Sequence, residues 1–102
     1  MGFLTRKRDP CGSEKVTREF TIVNRLGLHA RPSAQFVKLC SRFRCEVLVE
    51  KDGEQVNGKS IMGLMMLAAG MGSKLKVTCE GTDCEKALSE LAALIPRKFD
   101  ED

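Results

Sequence analysis

The stretch GEQVNGKSIMGLMML, Gly53 to Leu67, decides between two folds for this chain. Its first eight residues fit the P-loop pattern of nucleotide-binding proteins, a glycine and four residues before Gly-Lys-Ser. A phosphate cradle uses small residues that bring backbone N–H groups close to the anion, whereas the spaced residues here include Glu54 and the β-branched Val56. A P-loop domain also needs several βαβ units of roughly 30 residues each, for which the remaining chain is too short. We therefore interpret the stretch as a hairpin strand that crosses into a helix.

Four segments have the period-two pattern that is typical of β-strands. In Val16 to Val23 apolar and polar side chains alternate, and Phe20 and Ile22 are expected to point inward. The other three segments are Cys45 to Lys51, the short run Gln55 to Asn57, and Lys74 to Glu80.

Three segments have apolar residues at helical spacing. The first runs from about Ala30 to Phe43, and it tolerates Pro32 because a proline in the first turn has no intrahelical hydrogen bond to lose. The second runs from Ile61 to about Ala69, with Ser60 as its N-cap. The third is expected to open with the capping box Thr82-x-x-Glu85.

The predicted element order is therefore β-α-β-β-α-β-α. Two split β-α-β units imply an α+β fold, an open-faced β-sandwich in which three helices cover one face of a four-stranded antiparallel sheet. A chain of 102 residues is long enough for one such domain with a single modest core. We assign the domain to residues 16–102 and expect residues 1–15, which lack periodicity, to form a disordered basic leader.

The charge and hydropathy of the chain argue against nucleic-acid and membrane partners. The formal net charge is +3, and residues 1–15 hold four basic and two acidic side chains, so the remainder is almost neutral. No apolar run approaches the length of a membrane span, and the N-terminus has no apolar signal-peptide region. We expect a cytoplasmic protein with no nucleic-acid partner and no membrane insertion.

The five cysteines are an odd number in a chain with no sign of secretion, so reduced thiols are expected. Cys40 and Cys45 form one Cys-x4-Cys pair, and Cys79 and Cys84 form another. A metal or redox module built on these cysteines is a rival hypothesis, although zinc knuckles have tighter spacing. Because Cys40 falls on an apolar helix face and Cys79 on an alternating strand, we favour buried packing residues and predict no metal site.

The single histidine, His29, lies in GLHARP, Gly27 to Pro32, directly before the first helix. Free N–H groups and the positive end of the helix dipole favour an anion at this point, and the same field favours a neutral, nucleophilic imidazole. Arg31 adds a guanidinium for phosphate oxygens, and Pro32 stiffens the turn. The residues therefore predict a site that accepts a phosphoryl group on His29 and holds it. No neighbouring Asp/His base or metal cluster offers hydrolysis, which suits a carrier better than a hydrolase, and no cofactor is expected.

Two motifs in this sequence resemble those of HPr, the histidine-containing phosphocarrier family of the bacterial sugar phosphotransferase system. LGLHARP, Leu26 to Pro32, is similar to the active-site motif of the family, and GKSIMGLMML, Gly58 to Leu67, is similar to its second signature, around a regulatory serine. The spacing between the motifs also fits, and the resemblance extends from about Val16 to the C-terminus. Two motifs at the correct separation are more specific than one P-loop match.

The resemblance implies a phosphoryl carrier, not an enzyme. It implies that enzyme I, charged by phosphoenolpyruvate, phosphorylates His29 at Nδ1, that Arg31 stabilises the phosphohistidine, and that sugar-specific enzyme II A domains accept the group. It also implies that Ser60 is the target of a regulatory kinase, HPr kinase/phosphorylase; the alternative for Ser60 is a plain N-cap. A monomer is expected.

The second predicted helix is apolar almost all round, so some of its large side chains must face water or a partner. We expect a partner-binding surface formed by Ile61, Met62, Met65 and Met66, because flexible thioethers adapt to several proteins in turn. The alternative is a buried helix whose methionines fill gaps.

A regulatory or nitrogen-branch member of the same family, which does not feed sugar transport, is a rival to the sugar carrier.

Overall fold

The structure, a computed structural model, describes residues 4–8 and 14–100 of the chain. The strands are β1 (Leu4–Arg8), β2 (Glu14–Thr21), β3 (Glu46–Lys51), β4 (Glu54–Asn57) and β5 (Lys74–Glu80). The helices are α1 (Ala30–Cys40), α2 (Ile61–Met66) and α3 (Cys84–Leu94), and a 3₁₀ turn covers Lys98–Asp100.

The strands form one sheet in the order β1-β2-β5-β3-β4, and every neighbouring pair is antiparallel. Strands β2 to β5 are the four that the alternating pattern predicts, so the α+β open-faced sandwich with three helices is confirmed. The inward direction of Phe20 and Ile22 is also confirmed, since the two side chains are 7% and 0% exposed.

The segment expected to be a disordered leader differs in part from that expectation. Leu4–Arg8 forms strand β1, which pairs with β2 in the register Leu4↔Arg18 to Arg8↔Glu14. The expectation is wrong over these five residues, because β2 offers a free edge whose N–H and C=O groups a second strand can satisfy. It is also wrong for Glu14 and Lys15, which begin strand β2. Residues 1–3 and 9–13 of the expected leader lie outside the described residues.

The core lies between one face of the sheet and the three helices. From β3 and β5 it receives alternate side chains, which are fully buried: Val47, Val49, Leu75, Val77 and Cys79. From the helices it receives Phe36 of α1, Leu64 of α2 and Leu91 of α3, none of which is exposed to solvent. The starts of α1 and α2 are thereby fixed against the sheet.

Two helices end earlier than the apolar spacing predicts. Helix α1 stops at Cys40 instead of Phe43, and α2 stops at Met66 instead of about Ala69. After α2 the chain continues through Leu67 to Ala68, which has a left-handed φ of 50° and so cannot extend the helix.

The predicted capping box of the third helix is wrong. The N-cap is Asp83, not Thr82, and its side chain makes no cap hydrogen bond. Its carboxylate instead accepts the backbone N–H groups of Arg44 and Cys45, both at 2.9 Å. The carboxylate accepts two hydrogen bonds near the start of β3, and these are more favourable than the single bond that a local cap would supply.

Candidate functional site

His29 is the N-cap residue of α1, with an extended backbone (φ −79°, ψ −169°) and no side-chain cap hydrogen bond. Its carbonyl oxygen accepts the first intrahelical bond, from the Ser33 N–H at 3.0 Å. The imidazole therefore does not cap its own helix, and it lies at the positive end of the helix dipole.

A network of short hydrogen bonds holds the loop before His29. Asn24, which is buried, donates from Nδ2 to the Gly27 carbonyl oxygen at 2.7 Å, and the Gly27 N–H donates to the Asn24 carbonyl oxygen at 3.2 Å. The Leu28 N–H donates at 2.8 Å to the Ala69 carbonyl oxygen, which joins the loop to the segment after α2. The backbone on the N-terminal side of His29 is thus bonded both within the loop and across to its neighbour.

Gly27 makes the close approach of these two segments possible. Its φ is +69°, a left-handed value that favours glycine, and a Cβ added there would lie 2.2 Å from the Ala69 carbonyl oxygen. The glycine of the GLHARP motif therefore has a structural role in placing His29.

The His29 side chain is half-buried. Its Nε2 atom is shielded from solvent, with less than 1 Å² accessible.

Arg31 and Pro32 lie in the first turn of α1, as predicted. Arg31 is exposed, so its guanidinium is free to move to an anion near the helix start. Pro32 is buried and occupies a position where the missing N–H breaks no intrahelical bond. The structure thus places the three predicted active-site residues together on four consecutive positions of the chain, His29 to Pro32.

Ser60 is the N-cap of α2, which confirms that part of the prediction. Its Oγ accepts the Gly63 N–H at 3.1 Å, and its carbonyl oxygen accepts the Leu64 N–H at 3.1 Å. The side chain is partly exposed. In this conformation the hydroxyl acts as a cap.

The P-loop resemblance of Gly53 to Ser60 finds no support in the structure. These residues form a turn, strand β4 and a second turn, as the hairpin interpretation predicts. The Lys59 Nζ donates at 2.7 Å to the Phe43 carbonyl oxygen, so it holds the end of the α1–β3 connection instead of a phosphate. Gly58 is needed because a Cβ there would lie 2.5 Å from the Val47 side chain.

The large side chains expected to face outward on α2 are exposed. Met62 and Met66 are 76% and 69% exposed, and Ile61 and Met65 are 41% and 44% exposed. The alternative of a buried helix is therefore wrong for these four residues, while their role in partner binding stays a prediction. We call them, together with Leu26 and Met71, the apolar surface.

Leu26 and Met71 are exposed residues that the sequence analysis missed; they are 73% and 63% exposed. Leu26 borders, with His29 and Met65, a shallow depression of about 270 Å³, so the apolar surface reaches the histidine. A signal was available in the sequence, since Met71 is a large apolar residue between two glycines, a position in which a side chain rarely reaches a core.

The structure thus has a histidine at the N-cap position of α1 beside an exposed apolar surface, and comparison with known proteins assigns this arrangement to the phosphocarrier domains. The family model described as the PTS HPr component phosphorylation site matches residues 16–97. The phosphocarrier protein HPr of Cupriavidus necator is 48% identical over 84 residues, 82% of this chain and 94% of that protein. The crystal structure of HPr from Thermoanaerobacter tengcongensis has a TM-score of 0.81 at 45% identity and covers 84% of this chain and 97% of that one.

The chain therefore belongs to the HPr family of the phosphotransferase system, whose members are phosphocarrier proteins and not enzymes. The match also begins at residue 16, so β1 lies before the part that the family shares. Similarity extends to Crh, the catabolite repression protein of Bacillus subtilis, whose crystal structure is described as a domain-swapped dimer. That structure is 43% identical with a TM-score of 0.66 and covers 78% of this chain and 91% of Crh. Within the described residues, no helix is both long enough and apolar enough to cross a membrane.

Proposed function

We propose that this protein accepts a phosphoryl group on His29 from phosphoenolpyruvate-charged enzyme I and passes it to sugar-specific enzyme II A domains. The observation that carries the proposal is the position of His29: a half-buried imidazole at the start of α1, outside the cap hydrogen-bond network, with Nε2 shielded. Family membership supplies the class of reaction.

In the proposed step the Nδ1 lone pair of His29 attacks the phosphorus atom while the bond between phosphorus and the donor atom of enzyme I breaks. The new N–P bond places a dianionic group at the positive end of the α1 dipole, next to backbone N–H groups of the first turn. Arg31 then pairs with phosphoryl oxygens, because its exposed guanidinium has no fixed position to leave. Transfer to the acceptor reverses these events.

The apolar surface is the proposed docking site for both partners. Enzyme I and the enzyme II A domains must bind the same His29 in turn, so one surface has to fit unlike proteins. Methionine side chains at Met62, Met65 and Met66 can repack for each partner without a change of backbone. We propose transient contacts of modest area, made by a cytoplasmic monomer that needs no cofactor and contacts neither nucleic acid nor membrane.

Ser60 is proposed as a regulatory phosphorylation site for HPr kinase/phosphorylase. Its hydroxyl is partly exposed, and it lies next to Ile61 and Met62 of the apolar surface. A phosphate there would place about two negative charges beside side chains that a partner has to desolvate. Regulation would follow from weaker docking, without refolding of the domain.

The proposal is tested by intact-protein mass after incubation with enzyme I and phosphoenolpyruvate. We expect one added phosphoryl group that brief acid treatment removes, and no addition to His29→Ala. Arg31→Ala, the matched variant in the same turn, is expected to accept the group but to lose it faster. Acceptance by His29→Ala would refute the assignment, and so would no mass change while enzyme I phosphorylates another HPr.

The role of Ser60 is tested with Ser60→Asp. We expect slower transfer from enzyme I at unchanged folding, as measured by circular dichroism, whereas Ser60→Thr keeps the hydroxyl and the rate. Equal rates for Ser60→Asp and the unmodified chain would leave Ser60 as a cap only.

A second candidate function is a regulatory carrier that feeds no sugar permease, and the similarity to Crh favours it. The two functions differ in the acceptor. Transfer of the phosphoryl group from His29 to a sugar-specific enzyme II A domain supports the sugar carrier, whereas transfer to a nitrogen-branch acceptor alone supports the regulator.

A further inference from the structure

Two polar side chains are buried in the part of the chain that the structure describes, and both bond the backbone directly before His29. They belong to Asn24 and Ser33, which are 1% and 0% exposed. The Asn24 Nδ2 donates to the Gly27 carbonyl oxygen at 2.7 Å, and the Ser33 Oγ donates to the Leu28 carbonyl oxygen at 3.2 Å. Burial of a polar group is costly unless the group is hydrogen-bonded. The two buried polar side chains thus hold two consecutive carbonyl groups that lead into His29.

Ser33 bonds the backbone on both sides of His29. Its Oγ bonds the Leu28 carbonyl oxygen, and its N–H donates to the His29 carbonyl oxygen at 3.0 Å. The first carbonyl belongs to the peptide unit that enters the His29 Cα, and the second belongs to the unit that leaves it. Because a peptide unit is planar, a fixed carbonyl direction restricts the whole unit. The φ of −79° and ψ of −169° of His29 describe the rotation of these two units about its Cα. Both units are therefore anchored to one residue.

The hydroxyl of Ser33 is the part of this anchor that helix formation does not explain. Any residue with a backbone N–H could make the bond to the His29 carbonyl oxygen, since it is the ordinary bond of an α-helix. Serine within a helix usually bonds a carbonyl three or four residues earlier, whereas the Ser33 Oγ reaches back five residues to Leu28, beyond the N-cap. Alanine would favour the helix more than serine does.

We propose that Ser33 is a positioning residue for phosphoryl transfer. Its hydroxyl holds the peptide unit between Leu28 and His29, and this sets the direction in which the imidazole leaves the backbone. The inference rests on the proposed function, because it concerns the reactivity of His29. The Ser33 side chain is fully buried and acts through the backbone of His29, without exchanging a proton with the phosphoryl group.

The preceding peptide unit is held in a similar way, so the loop offers little compensation for a lost bond. The Gly27 carbonyl oxygen at one side of that unit accepts the Asn24 Nδ2, and the Leu28 N–H at the other side donates to the Ala69 carbonyl oxygen at 2.8 Å. Without the Ser33 hydroxyl, the movement that is gained should therefore be concentrated at His29.

The first measurement compares Ser33→Ala with the unmodified chain by NMR relaxation and needs no partner protein. The variant should fold, because alanine is smaller and is a better helix former. The order parameter of the His29 N–H is expected to be about 0.85 in the unmodified chain and to fall toward about 0.6 in Ser33→Ala. An unchanged order parameter, together with an unchanged coupling constant between the amide and α protons of His29, would overturn the proposal.

Cys40→Ala is the matched control. It also removes one heavy atom from a fully buried position of α1, but it does so at the last residue of the helix. The order parameter of His29 and the transfer rate should both stay at the values of the unmodified chain. Equal changes in Cys40→Ala and Ser33→Ala would show a general effect of core truncation and would overturn the proposal.

The second measurement is the rate of transfer from enzyme I as the concentration of this protein is varied. We expect kcat to fall about tenfold in Ser33→Ala, since a 1 Å misplacement of a reacting group can cost about 100-fold. The KM should not change, because the apolar surface is intact. A variant that is only less stable behaves differently: its unfolded fraction raises the apparent KM and leaves kcat unchanged.

The outcomes separate this inference from the proposed function. If the unmodified chain accepts no phosphoryl group from active enzyme I, the proposed function is overturned, and the role of Ser33 in transfer fails with it. If the unmodified chain accepts the group and Ser33→Ala does so with the same kcat, the proposed function stands and the inference about Ser33 alone is overturned.

Discussion

Replacement of Gly27 by alanine should damage both stability and phosphoryl transfer. Gly27 has a φ of +69°, and a Cβ there would lie 2.2 Å from the Ala69 carbonyl oxygen and 2.7 Å from the Gly70 Cα. The same carbonyl oxygen accepts the Leu28 N–H at 2.8 Å. The added methyl group therefore cannot be accommodated unless the loop before His29 moves away from the segment after α2.

The expected loss of stability has two parts. A left-handed conformation costs a residue with a Cβ about 1–2 kcal/mol, and overpacking against backbone costs about 1–3 kcal/mol more. The free energy of unfolding of Gly27→Ala should thus fall by about 2–5 kcal/mol, a large part of the roughly 5–15 kcal/mol of a typical domain. Because a 1 Å displacement of a reacting group can slow a reaction about 100-fold, transfer from enzyme I should slow by about 10- to 100-fold.

Gly53→Ala is the matched control. Gly53 has a φ of +84°, but nothing lies within 4 Å of an added Cβ, so only the conformational part of the loss applies. Urea unfolding at 25 °C should give a loss of about 1–2 kcal/mol for this variant, and its transfer rate should equal that of the unmodified chain. Equal stability losses in Gly27→Ala and Gly53→Ala would refute the reasoning, as would a normal transfer rate in folded Gly27→Ala.

Three further predictions concern the caps and turns around the site. Asp83→Asn should lower the free energy of unfolding by about 1 kcal/mol, because one oxygen then has to replace the two that accept the Arg44 and Cys45 N–H groups. These bonds, chiefly that from Arg44, lower the pKa of Asp83. The carboxylate therefore stabilises the fold above its unfolded pKa of 3.8, and this stabilisation is lost as the pH falls through the folded pKa. The stability of Asp83→Asn should not show this fall in acid. Ser60→Ala should cost about 1 kcal/mol in urea unfolding and leave phosphorylation of His29 intact, since only the cap bond to Gly63 is lost. Ala68→Gly should raise the free energy of unfolding by about 0.5–1 kcal/mol, and the melting temperature with it, because Ala68 has a left-handed φ of 50°. A lower melting temperature would show that no strain is stored there.

The features that could be predicted from the sequence depend on local rules. The four alternating strands, the N-cap role of Ser60 and the position of Pro32 follow from side-chain periodicity and from the hydrogen-bonding capacity of single residues. The exposure of Met62 and Met66 follows from the apolar residues on all sides of the helix, because a helix on one face of a sheet can bury only one of its sides.

The features that could not be predicted depend on partners far away in the chain. The Asp83 side chain does not cap its own helix and instead accepts two backbone N–H groups 38 and 39 residues away. Strand β1 exists because β2 has a free edge, which a pattern within residues 1–15 does not reveal.

The site combines a rigid reacting group with an adaptable surface, and a carrier needs both. The loop before His29 is held by Asn24 and by the Ala69 carbonyl oxygen, which in the proposed carrier would present the imidazole in one position to every partner. The side chains beside it, chiefly methionines, are exposed, and in the proposed carrier their flexibility would let them fit each partner in turn. A domain that released the phosphoryl group to water would need a group to activate that water. Apart from His29 itself, the described side chains bordering the depression are apolar and offer no such group, which suits the proposed retention of a phosphohistidine for the next protein.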